Sequence, residues 1–483
     1  MRLKKFFYDK KKQDNKTVIR LLRIPVYRCI SDNSYRRKYF LGIRFSKRLL
    51  LQKPNSISDV IKSLETLKNE VTKNFETFKE DIMNFYAVKT CMKNDNSSVE
   101  KSAIFIPGHK AIAEYTVKIH SCQPESFDVF ADVSNFSELS HLYSLHKNAH
   151  KIIFPISSFE IISRMRKYKS KVFVLGNSQY HKNVFDLACK TKGEKNRWLI
   201  LHEAFVFGAF VDKFDFNIEK IRKYMISWYP HLKKELKEAP ASINDLEIVL
   251  LKHNCCFIRP IIELTGIKNI IVYSEKAKDL IKGELTEKEI KELKLFSLPL
   301  PFERIKNMTR KSSLIKKESK YLVGTFGGPN EFKRTSDVIK AVELLRKEID
   351  VQLLLAGPGV INYKDKIKNK NSVIFAESPS NEEWMSLMNT VDLGIQLREN
   401  AHGFSSGCVA ELLGLGKPCL LTEGMVDKKW GCLCDFLPDG ASVQEMAEAI
   451  KKLLFSKKKV KQDLYADYTF YHNAQMINDF IRK

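Results

Sequence analysis

Two short stretches carry the residue types that hold a phosphorylated ligand. The first, "GTFGGPNEFKRTSDVIKAVELL", leaves a strand-like segment at 321–326 and passes Gly327-Gly328, Pro329-Asn330 and Lys333-Arg334 before a helical pattern. Glycine lets backbone N–H groups come close to an anion, and Lys333 and Arg334 add positive charge beside that loop. The spacing is neither a Walker loop nor G-x-G-x-x-G. The second, "HGFSSGCVAELLGLGKP", runs from His402 to Pro418. It sets Ser405-Ser406-Gly407 at the entrance of a helix over 408–415, where unpaired N–H groups and the helix dipole favour an anion. The serines would cap that helix or donate to phosphate. Glu411, one turn in, is placed to accept from ribose or sugar hydroxyls. Either stretch alone also reads as a glycine turn or a capped core helix. Both at strand ends of one sheet, they point to a diphosphate held between them.

A further cluster lies upstream. "RWLILHE" ends on His202-Glu203, and "KVFVLGNSQYH" brings Asn177 and His181 just past a strand. A lone His on an apolar run is by default a core histidine, and Asn177 is equally a loop cap. Glu203 reads as a helper of His202 or as a surface charge.

These residues need strands that end side by side. "AIFIPG" (103–108), "FDVFADV" (127–133), "KIIFPIS" (151–157), "KVFVLGN" (171–177), "RWLILHE" (197–203) and "NIIVYSE" (269–275) read as buried strands. Helical segments such as 183–191 separate most of them. A second series follows at 321–326, 351–357, 372–376, 392–397 and 418–423, with helices over 335–347 and 409–415. Strands alternating with helices predict an α/β fold with parallel, doubly wound sheets. Two tandem Rossmann-like domains result, 100–296 and 321–460, joined by a Pro- and charge-rich link at 297–320 and followed by a C-terminal helix within 461–483. Ligands of such sheets bind beyond the strands' carboxyl ends, so a cleft between the domains is the expected site.

Residues 321–423 resemble the C-terminal domain of bacterial retaining glycosyltransferases of the GT-B fold, glycosyltransferase family 4. The resemblance rests on "GTFGGPNEFKRTSDVIKA", "VIFAESPSNEEWMSLMNTVDLGIQLR" and "GFSSGCVAELLGLGKP". "VFVLGNSQYHKNVFDLA" and "WLILHEAFVFGAF" extend it upstream, and "IVYSEKAKDLI" and "SLPLPF" also fit, for coverage of roughly 100–460. It implies transfer of a sugar from a nucleotide-diphosphate sugar to a saccharide or lipid-linked glycan, with retention, in bacterial surface polysaccharide biosynthesis. Lys333, with Arg334, would neutralise the departing diphosphate, beside Gly327 and Gly328. Ser405, Ser406 and Gly407 would donate to phosphate. Glu411 would match the second Glu of an E-x7-E motif and contact ribose, with Glu383 nearer the base. His202 would face the donor sugar, and Asn177 and His181 would line the same rim. The first Glu of the motif falls at Gly403, and a variant form places it at Phe404, so that carboxylate is missing. Its absence supports an alternative, a catalytically inactive binding or scaffold protein on the same fold. With no D-x-D cluster in the strand-end loops, the expectation is a metal-independent enzyme without cofactor.

Charge suggests partners. The 483 residues carry 82 Lys+Arg against 57 Asp+Glu, a net charge of +25. Residues 1–54 hold seventeen Lys/Arg and three Asp, hence +14 of it. Apolar and basic residues alternate there, which reads as a solvated tail or as attachment to an anionic membrane face. Nucleic-acid binding lacks a defined motif. Over 55–93, Ile57, Leu64, Val71, Phe78 and Phe85 recur every seven residues, but Asn74 and Asp81 spoil the second seam. A homo-oligomeric coiled coil over 56–86 and a helix packed on its own domain are both open. Ten scattered cysteines without C-x-x-C, no signal peptide and no apolar run near 20 residues lead to a reduced, cytoplasmic protein, peripheral on the inner face of the membrane.

Overall fold

Short apolar runs bounded by polar turns suit strands buried on both faces, and here they pair accordingly. The computed structural model describes residues 8–13, 16–21, 24–31, 36–40, 43–45, 80–91, 100–108, 110–239, 242–305, 315, 318–367, 372–399, 406–456 and 462–482. In the first large sheet, β6 (Lys101–Pro107), β7 (Phe127–Asp132), β8 (Ile153–Pro155), β9 (Tyr168–Leu175), β10 (Arg197–Leu201), β11 (Asn269–Val272) and β12 (Lys294–Ser297) lie in the order β12-β11-β10-β9-β6-β7-β8. The second contains β13 (Tyr321–Phe326), β14 (Val351–Gly357), β15 (Val373–Glu377), β16 (Leu393–Gln396), β17 (Cys419–Thr422) and β18 (Cys434–Leu437), ordered β15-β14-β13-β16-β17-β18. Every pairing in both is parallel, so all strand ends of one sheet meet on one side. Helices cover both faces of each sheet, giving two core layers per domain.

The expected strands are all present. Two more, β12 and β18, escaped the sequence reading. Both are four-residue edge strands with partly exposed faces, too short to show a period.

Inside the first domain, Phe105 stacks on Phe130 and Phe173, with centroids 5.5 and 5.0 Å apart. At the other end of that sheet the buried Asp128 pairs with Lys101 at 3.0 Å and with Arg166, and accepts from Tyr168 Oη at 2.8 Å. Losing the carboxylate would strand two buried cations, at a cost of about 3–5 kcal/mol. Arg166 also reaches the Cys91 carbonyl, which ties down the helix over 80–91. That helix buries Met83, Ala87, Val88 and Cys91, while the seam residue Phe85 stays only half-buried. The described end of the heptad segment is thus packed on its own domain. The rest of the proposed coiled coil, 56–79, lies outside the described residues.

The chain crosses between domains twice. Residues 298–302 lead out of the first domain, and the helix Phe470–Arg482 returns to it. Asn473 Nδ2 donates to the Pro299 carbonyl at 2.9 Å, Asn478 Nδ2 to Ser126 Oγ at 3.3 Å, and Phe480 stacks on Phe296 at 4.2 Å.

The described residues of the basic N-terminal segment are paired strands. Its backbone forms β1 (Tyr8–Gln13), β2 (Lys16–Leu21), β3 (Ile24–Ser31), β4 (Arg36–Phe40) and β5 (Ile43–Phe45), an antiparallel meander. The alternation of apolar and basic residues is the period-two pattern of a strand. Along the backbone Lys11 pairs with Val18, Val18 with Arg28, Arg28 with Tyr39 and Tyr39 with Arg44.

Candidate functional site

Past β13 the chain turns through Gly327, whose φ of +95° suits glycine. A Cβ there would stand 2.7 Å from Lys333 Nζ, so the missing side chain is what lets the ammonium lie across the loop. Asn330 fixes the lysine's backbone: its Oδ1 accepts from Lys333 N at 2.8 Å. Among the described residues no carboxylate pairs with Lys333. Burial, and then the nearby Arg398 charge, bring its ammonium down to about 8. A Cβ at Gly328 would press on the Pro358 carbonyl oxygen at 3.3 Å. Arg334, in a left-handed conformation, is committed elsewhere, donating to Asp337 at 3.0 Å and to the Ala441 carbonyl at 2.6 Å. It braces the start of the helix Thr335–Leu345 and does not stand beside Lys333's ammonium as a free charge.

The helix Gly407–Gly414 has no side-chain cap, and Ser406 at its N-cap is buried. Its first turn therefore keeps the unsatisfied amide donors expected of a helix start. Ser405 lies outside the described residues, as do Gly403 and Phe404. Tyr115 of the opposite domain packs over this entrance, its Oη donating to the Gly407 carbonyl at 3.3 Å. Glu411 accepts from Trp384 Nε1 at 3.0 Å, and burial pushes its carboxyl up. Glu383 is surface-bound in a capping box, its Oε2 accepting from Ser380 N and Oγ at 2.8 Å each. It is thus held at the helix start by its own cap.

Arg398, which the sequence reading did not single out, joins the parts. It follows β16; its backbone N–H donates to Thr422 Oγ1 at 2.8 Å. Its charge is felt by Lys333 and Cys408 in its own domain and by Glu203 in the other. A single Arg past a strand makes no motif, so position at a strand end was the one available signal.

On the facing domain, His202 and Glu203 sit directly past β10. His202 packs on Tyr273, centroids 4.8 Å apart, and burial, with His181 nearby, drops its imidazole to about 3. It is neutral across working pH and offers hydrogen bonding rather than charge. His181 is likewise neutral, its Nδ1 3.2 Å from the Val174 carbonyl. Glu203 is almost fully buried; Oε1 accepts from Asn177 N at 2.7 Å, and Oε2 has no hydrogen-bond partner among the described residues. Burial raises its carboxyl to about 7 against the lowering effects of that bond and of Arg398. Asn177 is a structural hub as well, accepting from Gly208 N at 2.5 Å and donating to Glu247 at 2.9 Å.

Lys333, Arg398 and Cys408 at the helix start thus lie within electrostatic reach of one another in one domain, and Arg398 lies within reach of Glu203 in the other.

No protein-family model matches the chain, and no curated protein matches it. Solved structures do. A glycosyltransferase from Rickettsia africae ESF-5 superposes with a TM-score of 0.50 at 10% identity, over 80% of this chain and 99% of that one. The fold is GT-B. Anabaena HepE in complex with UDP and glucose aligns at 15% identity and a TM-score of 0.44, over 79% and 95% of the two chains. Sucrose-phosphate synthase from Thermosynechococcus elongatus aligns at 11% and 0.44, over 79% and 95%. At such identities the likeness concerns architecture alone.

Proposed function

We propose that this protein is a retaining glycosyltransferase that moves a sugar from a nucleotide-diphosphate sugar to a hydroxyl of a saccharide or lipid-linked glycan. The observation that carries the reading is Lys333: a half-buried ammonium with no acid partner among the described residues, beside Arg398 and an uncapped helix start. Such a group is costly to bury unless an anion completes it. The fold shared with the Rickettsia africae enzyme is compatible with this chemistry.

The energetic problem is charge growing on the departing diphosphate. Pre-oriented amides and cations stabilise it in place, and losing one such donor typically costs about 10²–10³ in rate. Lys333 and Arg398 supply charge, and Ser406 with the amides of the helix start supplies hydrogen bonds. His202, being neutral, can approach the reacting sugar without competing for the diphosphate. Closure of the two domains would exclude water and suppress hydrolysis. Glu411 would reach ribose by exchanging its Trp384 partner, and no metal is required.

The acceptor belongs to bacterial surface polysaccharide synthesis on this reading, and the basic N-terminal sheet brings the enzyme to an anionic membrane face. No helix among the described residues is long and apolar enough to cross a membrane. Thermal shift against a panel of nucleotide sugars tests the reading, since a bound donor stabilises by RT ln(1 + [L]/Kd). One sugar nucleotide should raise Tm, and the rise should vanish in Lys333→Ala. No response to any of them would contradict it and favour the scaffold alternative.

A further inference from the structure

The two domains touch at the entrance of the proposed donor site. Tyr115 lies on the helix Lys110–His120, which follows β6 in the first domain. Yet it is only 7% exposed and belongs to a core cluster of the second domain, with Val409, Ala410 and Leu413 of the helix Gly407–Gly414. Its Oη donates to the Gly407 carbonyl at 3.3 Å, and a Cβ on Gly407 would stand 3.3 Å from Tyr115 Cε2. The ring therefore lies against the first residue of that helix, in a space that glycine leaves open. Phe470, where the chain starts back to the first domain, meets the same ring edge to face, centroids 5.8 Å apart.

Glu411, one turn further along, gives a second observation. Trp384 Nε1 donates to it at 3.0 Å from its own domain. From the other domain it feels Lys118, which favours its charged form, and Glu114, which opposes it. Glu114 and Lys118 are four residues apart and so neighbours on one face of the helix that bears Tyr115. Lys118 Nζ lies 5.9 Å from the Tyr115 ring centroid. The carboxylate assigned to ribose is thus enclosed by Trp384 on one side and by the opposite domain's helix on the other.

We propose that Tyr115 is a latch: packed on Gly407, it holds the two domains together over the Glu411 end of the donor site, and a nucleotide enters only when the 110–120 helix swings off the 407–414 helix. The inference rests on the transferase reading for the identity of that ligand; the contact between the domains does not. Domain interfaces within a chain separate readily unless they are large and apolar, and a ring with one long hydrogen bond is a small fastening. If latched molecules do not bind, apparent affinity falls in proportion to the unlatched fraction. Weakening the latch should therefore tighten binding, the reverse of what removing a binding residue does.

Calorimetry of UDP and GDP with the parent, Tyr115→Ala and Tyr115→Phe reads this directly. Tyr115→Ala should bind the nucleotide about fivefold or more tightly than the parent. Tyr115→Phe keeps the ring and loses the hydrogen bond, so its gain should be about two- to threefold, the scale of one long neutral bond. Equal or weaker binding in Tyr115→Ala would overturn the latch. Hydrogen exchange in the nucleotide-free proteins decides it independently: amides of 110–120 and 407–414 should exchange faster together in Tyr115→Ala, while those of β6, β9, β13 and β14 keep the parent's protection. Unchanged exchange at both helices would also overturn it. Tyr115→Phe repeats both measurements should the alanine variant fold poorly. Loosened helices with no nucleotide binding by any of the three proteins would instead sink the transferase reading and leave the latch standing.

Discussion

Lys333 and Glu203 are both held past a strand end by a neighbouring amide or asparagine, one in each domain, yet their surroundings differ. The C-terminal domain brings a lysine with no acid partner among the described residues, kept in place by Asn330 and by the absence of a Cβ at Gly327. The N-terminal domain brings a neutral histidine and a carboxylate that burial holds near neutrality, fixed through Asn177. One side is prepared for an anion that has yet to arrive; the other avoids charge. An enzyme that must stabilise a leaving diphosphate on one side and admit a polyol on the other needs this asymmetry, whereas a scaffold has no use for it.

The comparison breaks most visibly if the cation is removed. Lys333→Ala should lower transfer, or donor hydrolysis, by about 10²–10³, and Arg334→Ala by less than about threefold, because Arg334 is bonded to Asp337 and Ala441 instead. Steady-state rates of the two variants side by side check this; equal losses would erase the distinction between them. Arg398→Ala should raise the donor KM by about tenfold or more, the scale of one charge-assisted hydrogen bond, read from the same assays.

Titration sharpens it. Lys333 is charged below about pH 8, so donor affinity should hold at neutral pH and weaken as pH climbs through 8, approaching tenfold per unit beyond it. A donor KM flat to pH 10 would contradict the assignment. Glu203 behaves in reverse. Its folded-state value is raised, so the folded protein binds that proton more tightly, and stability falls as pH rises from about 4.5 to 7. Glu203→Gln removes the loss: it should stabilise the protein at pH 8 by up to about 3 kcal/mol and have little effect at pH 4.5, measured by denaturant melts. The smallest effect concerns metal: EDTA should leave the rate unchanged.

How much of this was legible in the sequence differs along the chain. Apolar runs bounded by turn residues placed the central strands because they are buried on both faces, whereas β12 and β18 are short and half-exposed. In the N-terminal segment the alternation of apolar and basic residues suits a solvated tail, a membrane-facing segment or a strand; only pairing of five strands turns it into a sheet. Lys333 and Ser406 followed from glycines and helix starts, which are local features. Arg398, Tyr115 and Trp384 did not, since their partners are distant in sequence: Tyr115 meets Gly407, and Trp384 meets Glu411. Glu383 shows the opposite error. Ser380-x-x-Glu383 is a capping box in plain view, and its carboxylate serves the helix start.

Calorimetric titration of UDP and GDP into the parent protein, Lys333→Ala and Arg334→Ala measures the central claim most directly. The account predicts that at least one of these nucleotides binds the parent, that Lys333→Ala weakens it tenfold or more, and that Arg334→Ala binds it as the parent does. Absence of binding to the parent, or equal affinity in Lys333→Ala, would contradict it.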